Sequence, residues 1–161
     1  SQGYAGVVYG FPKGGSTTIF KTDAHIKTNL AATNGGTFKL TTSAKGGYGT
    51  GATIEVLNSD GTSTGKTYVI CIFGDVDCNG AINVNDATAV KLCANGKTTI
   101  ADDSVERMAA NCQGVNNGEV MHKIIVNDAT FLKAYYTAGA TNKFSPADLA
   151  AKQFAFNTHY Q

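Results

Sequence analysis

Apolar positions along this chain change rhythm near residue 73. Before it the alternation is in twos: Thr37–Thr42 and Gly51–Leu57 place apolar side chains at every second position, as a half-buried strand does. Gly3–Phe11, carrying Val7, Val8 and Tyr9, is a β-prone run that stops at Pro12-Lys-Gly-Gly. Ile26 and Leu30 stand four apart behind Thr22, the predicted N-cap of a short helix that Asn34-Gly35-Gly36 ends. Asn58-Ser-Asp-Gly-Thr-Ser-Thr-Gly reads as a hairpin loop, and Tyr68–Phe73 as a mostly apolar last strand. The predicted order is β-α-β-β-β. After Phe73 the period becomes helical. Asp86–Ala94 puts Ala87, Val90 and Ala94 on one face and stops at Asn95-Gly96. Ser104–Ala110 is a second short helix and Asn127–Ala138 a third, bearing Leu132, Tyr135 and Tyr136. Ser145-Pro146-Ala147-Asp148 opens a terminal helix, with serine as cap, proline in the first turn and an acid at the positive end. Its Leu149, Phe154 and Phe156 are expected to pack on one of the preceding parts.

These elements predict an α+β chain: a small β-rich module with one helix over residues 1–73, an all-α part with two loop-helix motifs over 74–140, and a helical extension over 141–161. Phe73 runs into Gly74 with no linker, so the first two parts are expected to be held rigidly together. Composition supports a packed core with tight turns, being 42% hydrophobic with 19 glycines against 2 prolines. The net charge of +1 comes from 13 basic and 12 acidic residues scattered along the chain; without a basic block, nucleic acid is not an expected partner. Tyr68–Phe73, the longest apolar run, is far too short to span a bilayer, so no membrane insertion is expected. No signal peptide is present, and Ser1-Gln-Gly begins like a processed fragment, which is compatible with a leader already removed. Cys71, Cys78, Cys93 and Cys112 lack zinc spacing; parity permits two disulfides in a secreted chain, but small buried apolar residues or free thiols is the simpler reading.

The chemistry concentrates in Gly74-Asp-Val-Asp-Cys-Asn-Gly-Ala-Ile-Asn-Val-Asn-Asp86. Asp75, Asp77, Asn79, Ala81, Asn83 and Asp86 occupy the first, third, fifth, seventh, ninth and twelfth places of a twelve-residue loop, with Gly80 at the sixth. That spacing is the spacing of a calcium loop. Ca²⁺ is a hard cation that takes six to eight oxygens, and neighbouring residues can supply them only from a tightly wrapped loop. Asp75, Asp77 and Asn79 would give side-chain oxygens, Ala81 its carbonyl, Asn83 an oxygen directly or through water, and Asp86 the closing carboxylate. Ile82 is expected to point into the core. An Asx-rich turn capping a helix is the bland alternative, and Mg²⁺ the weaker ionic competitor, since it resists so many protein ligands.

A strand-like segment, not a helix, enters this loop, the closing residue is aspartate, and the run Val84-Asn-Asp-Ala-Thr88 returns at Val126-Asn-Asp-Ala-Thr130. A loop followed by a helix, used twice, resembles a dockerin of type I, the calcium-dependent module that plugs into cohesins of cellulosome-type assemblies. The resemblance covers about residues 74–139. The strand-rich segment before it, with Tyr48-Gly-Thr-Gly51, is similar to the X-type modules that accompany such dockerins in anaerobic bacteria.

The resemblance implies two calcium sites and a noncatalytic role. The second loop departs from the pattern: counting back from Asp128 puts Met121 and His122 where a ligand and the glycine belong. If that loop starts near Asn111 and carries an insertion, Asn111, Asn116, Asn117, Glu119 and Asp128 become donors of an irregular cage; otherwise protein contacts alone hold it. The cohesin-facing places carried over from dockerins are Val84, Asn85, Thr88, Lys91 and Leu92 in the first copy, and Val126, Asn127, Thr130, Lys133 and Ala134 in the second. Core packing of Leu92 and a merely solvated face for the lysines are the ordinary alternatives. The partner implied is a cohesin of a scaffoldin or cell-surface protein, and the setting secreted or cell-surface. A calcium-stabilised adhesion or carbohydrate-binding module is the competing reading, favoured by any aromatic groove within residues 1–70. No catalysis is expected: His25, His122 and His159 lie in unrelated segments without a nucleophile signature, and Asp102, Asp103 and Glu106 suit a helix's first turn.

Overall fold

A computed structural model describes residues 3–10, 21–102, 104–112 and 123–138. Strand β1 (Gly6–Gly10), helix α1 (Ala24–Asn29) and strands β2 (Thr37–Thr41), β3 (Thr53–Leu57) and β4 (Ser63–Ile72) follow the order the residue pattern predicts. Helices α2 (Val84–Ala94), α3 (Val105–Ala110) and α4 (Val126–Ala138) come after them. The strands make one mixed sheet in the order β1-β4-β3-β2. β2, β3 and β4 are antiparallel neighbours, whereas β1 lies parallel to β4, with Gly6 opposite Tyr68 and Gly10 opposite Ile72.

Element ends differ from the sequence reading where local chemistry competes. The hairpin turn closes within Asn58–Thr62, where Asn58 N–H donates to the Thr62 carbonyl at 2.8 Å and Asp60 accepts from Thr62 N–H at 2.9 Å. Ser63, Thr64 and Gly65, expected in the loop, therefore begin β4. Their strand half is largely exposed, so polar residues suit it, and pairing with β3 sets the conformation. Helix α1 starts after Asp23 rather than Thr22 and ends at Leu30, whose backbone is extended. Asn34 instead donates through its amide to the Leu57 carbonyl at 3.2 Å, tying the approach to β2 onto the end of β3.

The all-α part expected over residues 74–140 is not what the fold shows. The described residues form an α+β fold of one four-stranded mixed sheet and four short helices. Its apolar residues explain why the later helices do not stand alone. Val7, Val69 and Cys71 on one face of the sheet cluster with Val105, Met108 and Ala109 of α3. Ile54, Ile70 and Ile72 belong to a second cluster that runs on through Phe73, Val76 and Ile82 to Val90 of α2 and Leu132 and Tyr135 of α4. The end of β4 is buried completely, and the helices that follow it supply much of that cover, together with Ile26 of α1. Cys71, Cys78 and Cys112 are buried and Cys93 is half-buried; desolvation pushes the Cys71 and Cys78 thiols up, as expected of inert buried sulfur. The terminal helix expected from Ser145, with Leu149, Phe154 and Phe156, lies outside the described residues. No described helix is long and apolar enough to cross a membrane.

Candidate metal centre

β4 delivers the loop into a buried setting. Beyond Ile72 the chain turns, with Asp75 N–H donating to the Ile72 carbonyl at 3.0 Å and Gly74 N–H to the Ala109 carbonyl of α3 at 2.9 Å. Asp75 is thereby fully buried at the first loop position. Its Oδ2 accepts from Thr50 N–H at 2.8 Å and from Gly80 N–H at 3.2 Å. Gly80, at the sixth position, has φ +76, a backbone conformation that side chains rarely adopt, so the sharp turn falls where the calcium-loop spacing requires it. Cys78 also takes a positive φ, of 64°, two residues earlier.

Asp86 closes the loop from the first turn of α2. One carboxylate oxygen accepts from Val76 N–H at 2.8 Å and Asp77 N–H at 3.1 Å, and the other from Asn83 N–H at 2.9 Å. Asn83 returns the bond through Oδ1, which accepts from Asn85 N–H at 2.9 Å, completing a capping box. Helix α2 thus starts at Val84, two residues before the predicted start, and Asn83, read as a ninth-place ligand, has its amide oxygen engaged as a cap. Asn79 donates to Asp77 Oδ2 at 2.7 Å and accepts from Ala81 N–H at 2.8 Å, which keeps it beside the acids. Ile82 is buried in the core, as its position implies.

Carboxylate oxygens of Asp75, Asp77 and Asp86 all lie within 4.8 Å of one another, close enough to hold a metal ion. None of the ion pairs among the described residues reaches these three acids. Burial, reinforced by the neighbouring carboxylates, raises Asp75 from the ordinary 3.8 to about 7, against the opposing pull of the Thr50 and Gly80 N–H donors. Burial likewise raises Asp86 to about 6. Three acids gathered with two of them buried, and no ion pair to them among the described residues, form a donor set that fits a hard, oxygen-seeking ion.

The second copy repeats part of this geometry. Asp128 is buried and accepts from Ile125 N–H at 3.0 Å, matching the bond between Asp86 and Asn83. Thr88 and Thr130 donate in the same way to the carbonyls of Val84 and Val126. Asn111 is buried, whereas Asn116, Asn117 and Glu119 lie outside the described residues. Of the positions carried over as a contact face, Asn85, Thr88, Lys91, Asn127, Thr130 and Lys133 are exposed and Leu92 and Ala134 are half-buried. Val84 and Val126, 57% and 47% exposed, are the large apolar side chains most open to solvent among the described residues.

Ser43, Gly49 and Thr50, which touch the loop from the turn between β2 and β3, escape a reading of the loop's own spacing. The only sign of them in sequence is the glycine density of Gly46-Gly-Tyr-Gly-Thr-Gly51. No protein-family model matches this chain, and a search of curated proteins finds none with significant similarity.

Proposed function

We propose that this chain is a noncatalytic, calcium-dependent docking module of dockerin type, which binds a cohesin of a scaffoldin or cell-surface protein and so fastens its parent protein to a bacterial extracellular assembly. The observation that carries the reading is the donor set: Asp75, Asp77 and Asp86 at the first, third and twelfth loop positions, gathered within 4.8 Å around a glycine turn at the sixth. Calcium is preferred to magnesium because the loop offers many protein oxygens and Mg²⁺ retains its waters. Bound calcium would supply the positive charge that three crowded carboxylates lack. The chain's own residues do the rest: Asp86 and Asn83 lock the start of α2, which holds Val84, Asn85, Thr88, Lys91 and Leu92 toward a partner. The second ion belongs to the same proposal, with Asp128 as its closing ligand.

Two measurements test this. Calcium titration of the full chain should give two ions, and one after Asp128→Ala. Immobilised cohesins should capture the chain in calcium and release it in EDTA; capture indifferent to EDTA, or none by a broad cohesin panel, overturns the reading. The competing carbohydrate-binding reading has one observation in its favour, a groove of about 450 Å³ lined by Phe38, Tyr68 and Lys66. Several of its polar groups are already engaged within the protein, since Asn34, Asn58 and Thr64 donate to Leu57, Thr62 and Val56. That leaves the groove poorly equipped to hold a sugar, and docking stands as the preferred function.

A further inference from the structure

The turn between β2 and β3, residues 43–51, presses on the metal loop at several points. Thr50 N–H donates to Asp75 Oδ2 at 2.8 Å. The Thr50 hydroxyl donates to the Ile72 carbonyl and accepts from Ile72 N–H, both at 3.1 Å, which fixes Thr50 to the end of β4. The Ser43 hydroxyl donates to the carbonyl of Cys78 inside the loop. Gly49 is buried between them and is not one of the residues with positive φ, so conformation does not demand a glycine there. Space does: a methyl group at Gly49 would overlap Asp75 Oδ2 and come within 2.7 Å of Gly80 Cα.

We infer that this turn is a working part of the metal site, a positioning element that holds the Asp75 carboxylate in its ligating orientation and so sets the ion's affinity from the sheet. This inference rests on the calcium reading above. A carboxylate that can rotate must be ordered when the ion binds, whereas one already clamped by N–H donors from two separate segments is ordered when the protein folds. Each carboxylate oxygen has room for more than one partner, so Asp75 can accept from Thr50 and ligate at once. The coupling is reciprocal: an ion that draws on Asp75 must also fasten the turn.

The test uses the full chain and Ca²⁺ alone. Gly49→Ala should weaken calcium binding about 10–100-fold in a calorimetric titration, the range for partners that orient a metal ligand. Gly61→Ala is the control: it lies in the turn between β3 and β4 with φ +83 and nothing within 4 Å of its added methyl, so it should lower the melting temperature in EDTA yet leave calcium affinity unchanged. Calcium should also slow hydrogen exchange at the Thr50 amide of the unsubstituted protein, a readout that stands even if Gly49→Ala fails to fold. Equal affinities in the two variants, or a Thr50 amide that exchanges alike with and without bound calcium, would overturn the inference while leaving the calcium site in place. A native chain that takes up no calcium would instead overturn the reading beneath it.

Discussion

Asp75→Asn should make the protein more stable without calcium and less stable with it. The folded state holds the Asp75 proton up to about pH 7, while the unfolded chain releases it near 3.8. Stability in EDTA therefore declines as pH rises between those values, and the penalty is complete above 7. The shift of roughly three units, at about 1.4 kcal/mol each, makes that penalty about 4 kcal/mol at pH 8. Asparagine escapes it. Thr50 N–H reaches one carboxylate oxygen and Gly80 N–H is shared between both at 3.2 Å, so the amide oxygen keeps Thr50 and only part of the Gly80 contact. The amide NH2 that replaces the other oxygen stands against Gly80 N–H, a cost of about 2 kcal/mol, which leaves a net gain of about 2 kcal/mol, or about 4–8 °C in melting temperature for a chain this long. Calcium at a thousand times its dissociation constant stabilises the unsubstituted protein by about 4 kcal/mol, and the asparagine variant, short of a charged ligand, forgoes most of this. Thermal melts followed by circular dichroism should thus reverse the ranking of the two proteins between EDTA and calcium at pH 8. In EDTA the difference should shrink as pH falls below about 7 and vanish only below 3.8, where Asp75 is protonated in the folded and the unfolded states alike. A variant that melts below the unsubstituted protein in EDTA at pH 8, or a ranking that calcium leaves unaltered, would refute the reasoning.

Leu132 is fully buried in α4, and Leu132→Ala should cost about 2–5 kcal/mol in a urea titration, in EDTA as in calcium, because it opens a cavity away from the ion. Asn83→Ala removes the side-chain half of the α2 capping box and should cost about 0.5–2 kcal/mol, measured the same way. Val84→Ala should weaken cohesin capture about tenfold, on the scale of burying one valine, and leave calcium affinity unchanged in a titration. The same substitution at Val126 reports which copy of the repeat makes the contact.

The gathering of Asp75, Asp77 and Asp86 was legible because its constraint is local. A hard cation demands oxygens at alternate places in a dozen residues, and Asp75, Asp77 and Asp86 meet as that spacing requires. The succession of strands along the chain was legible in part from the period-two pattern of β2 and β3, though not their order in the sheet. What escaped was long-range or double-purpose. Nothing near Thr50 in sequence reveals that its N–H meets Asp75, since the sheet's pairing alone brings them together. Asn83 fits both ligand and cap chemistry, and the capping bond claims its oxygen. The change of rhythm at Phe73 suggested an all-α part rigidly joined to the β-rich one, because periodicity reports which face of an element is apolar, not what covers it. Here the cover of β4 is the helices themselves.

Parallel pairing of β1 with β4 places the sheet's first-made strand beside its last. β2, β3 and β4 can zip as neighbours while the chain is being made, but β1 must wait until Tyr68–Ile72 has emerged, and closing so long a loop slows the step. Even then Val69 and Cys71 lack the roof that Val105, Met108 and Ala109 give them. Between the completion of β4 and the arrival of α3, the most apolar run of the chain presents an open edge and a bare face to its surroundings. That interval is when one nascent copy is most exposed to pairing with another, and β1, once docked along that edge, closes it.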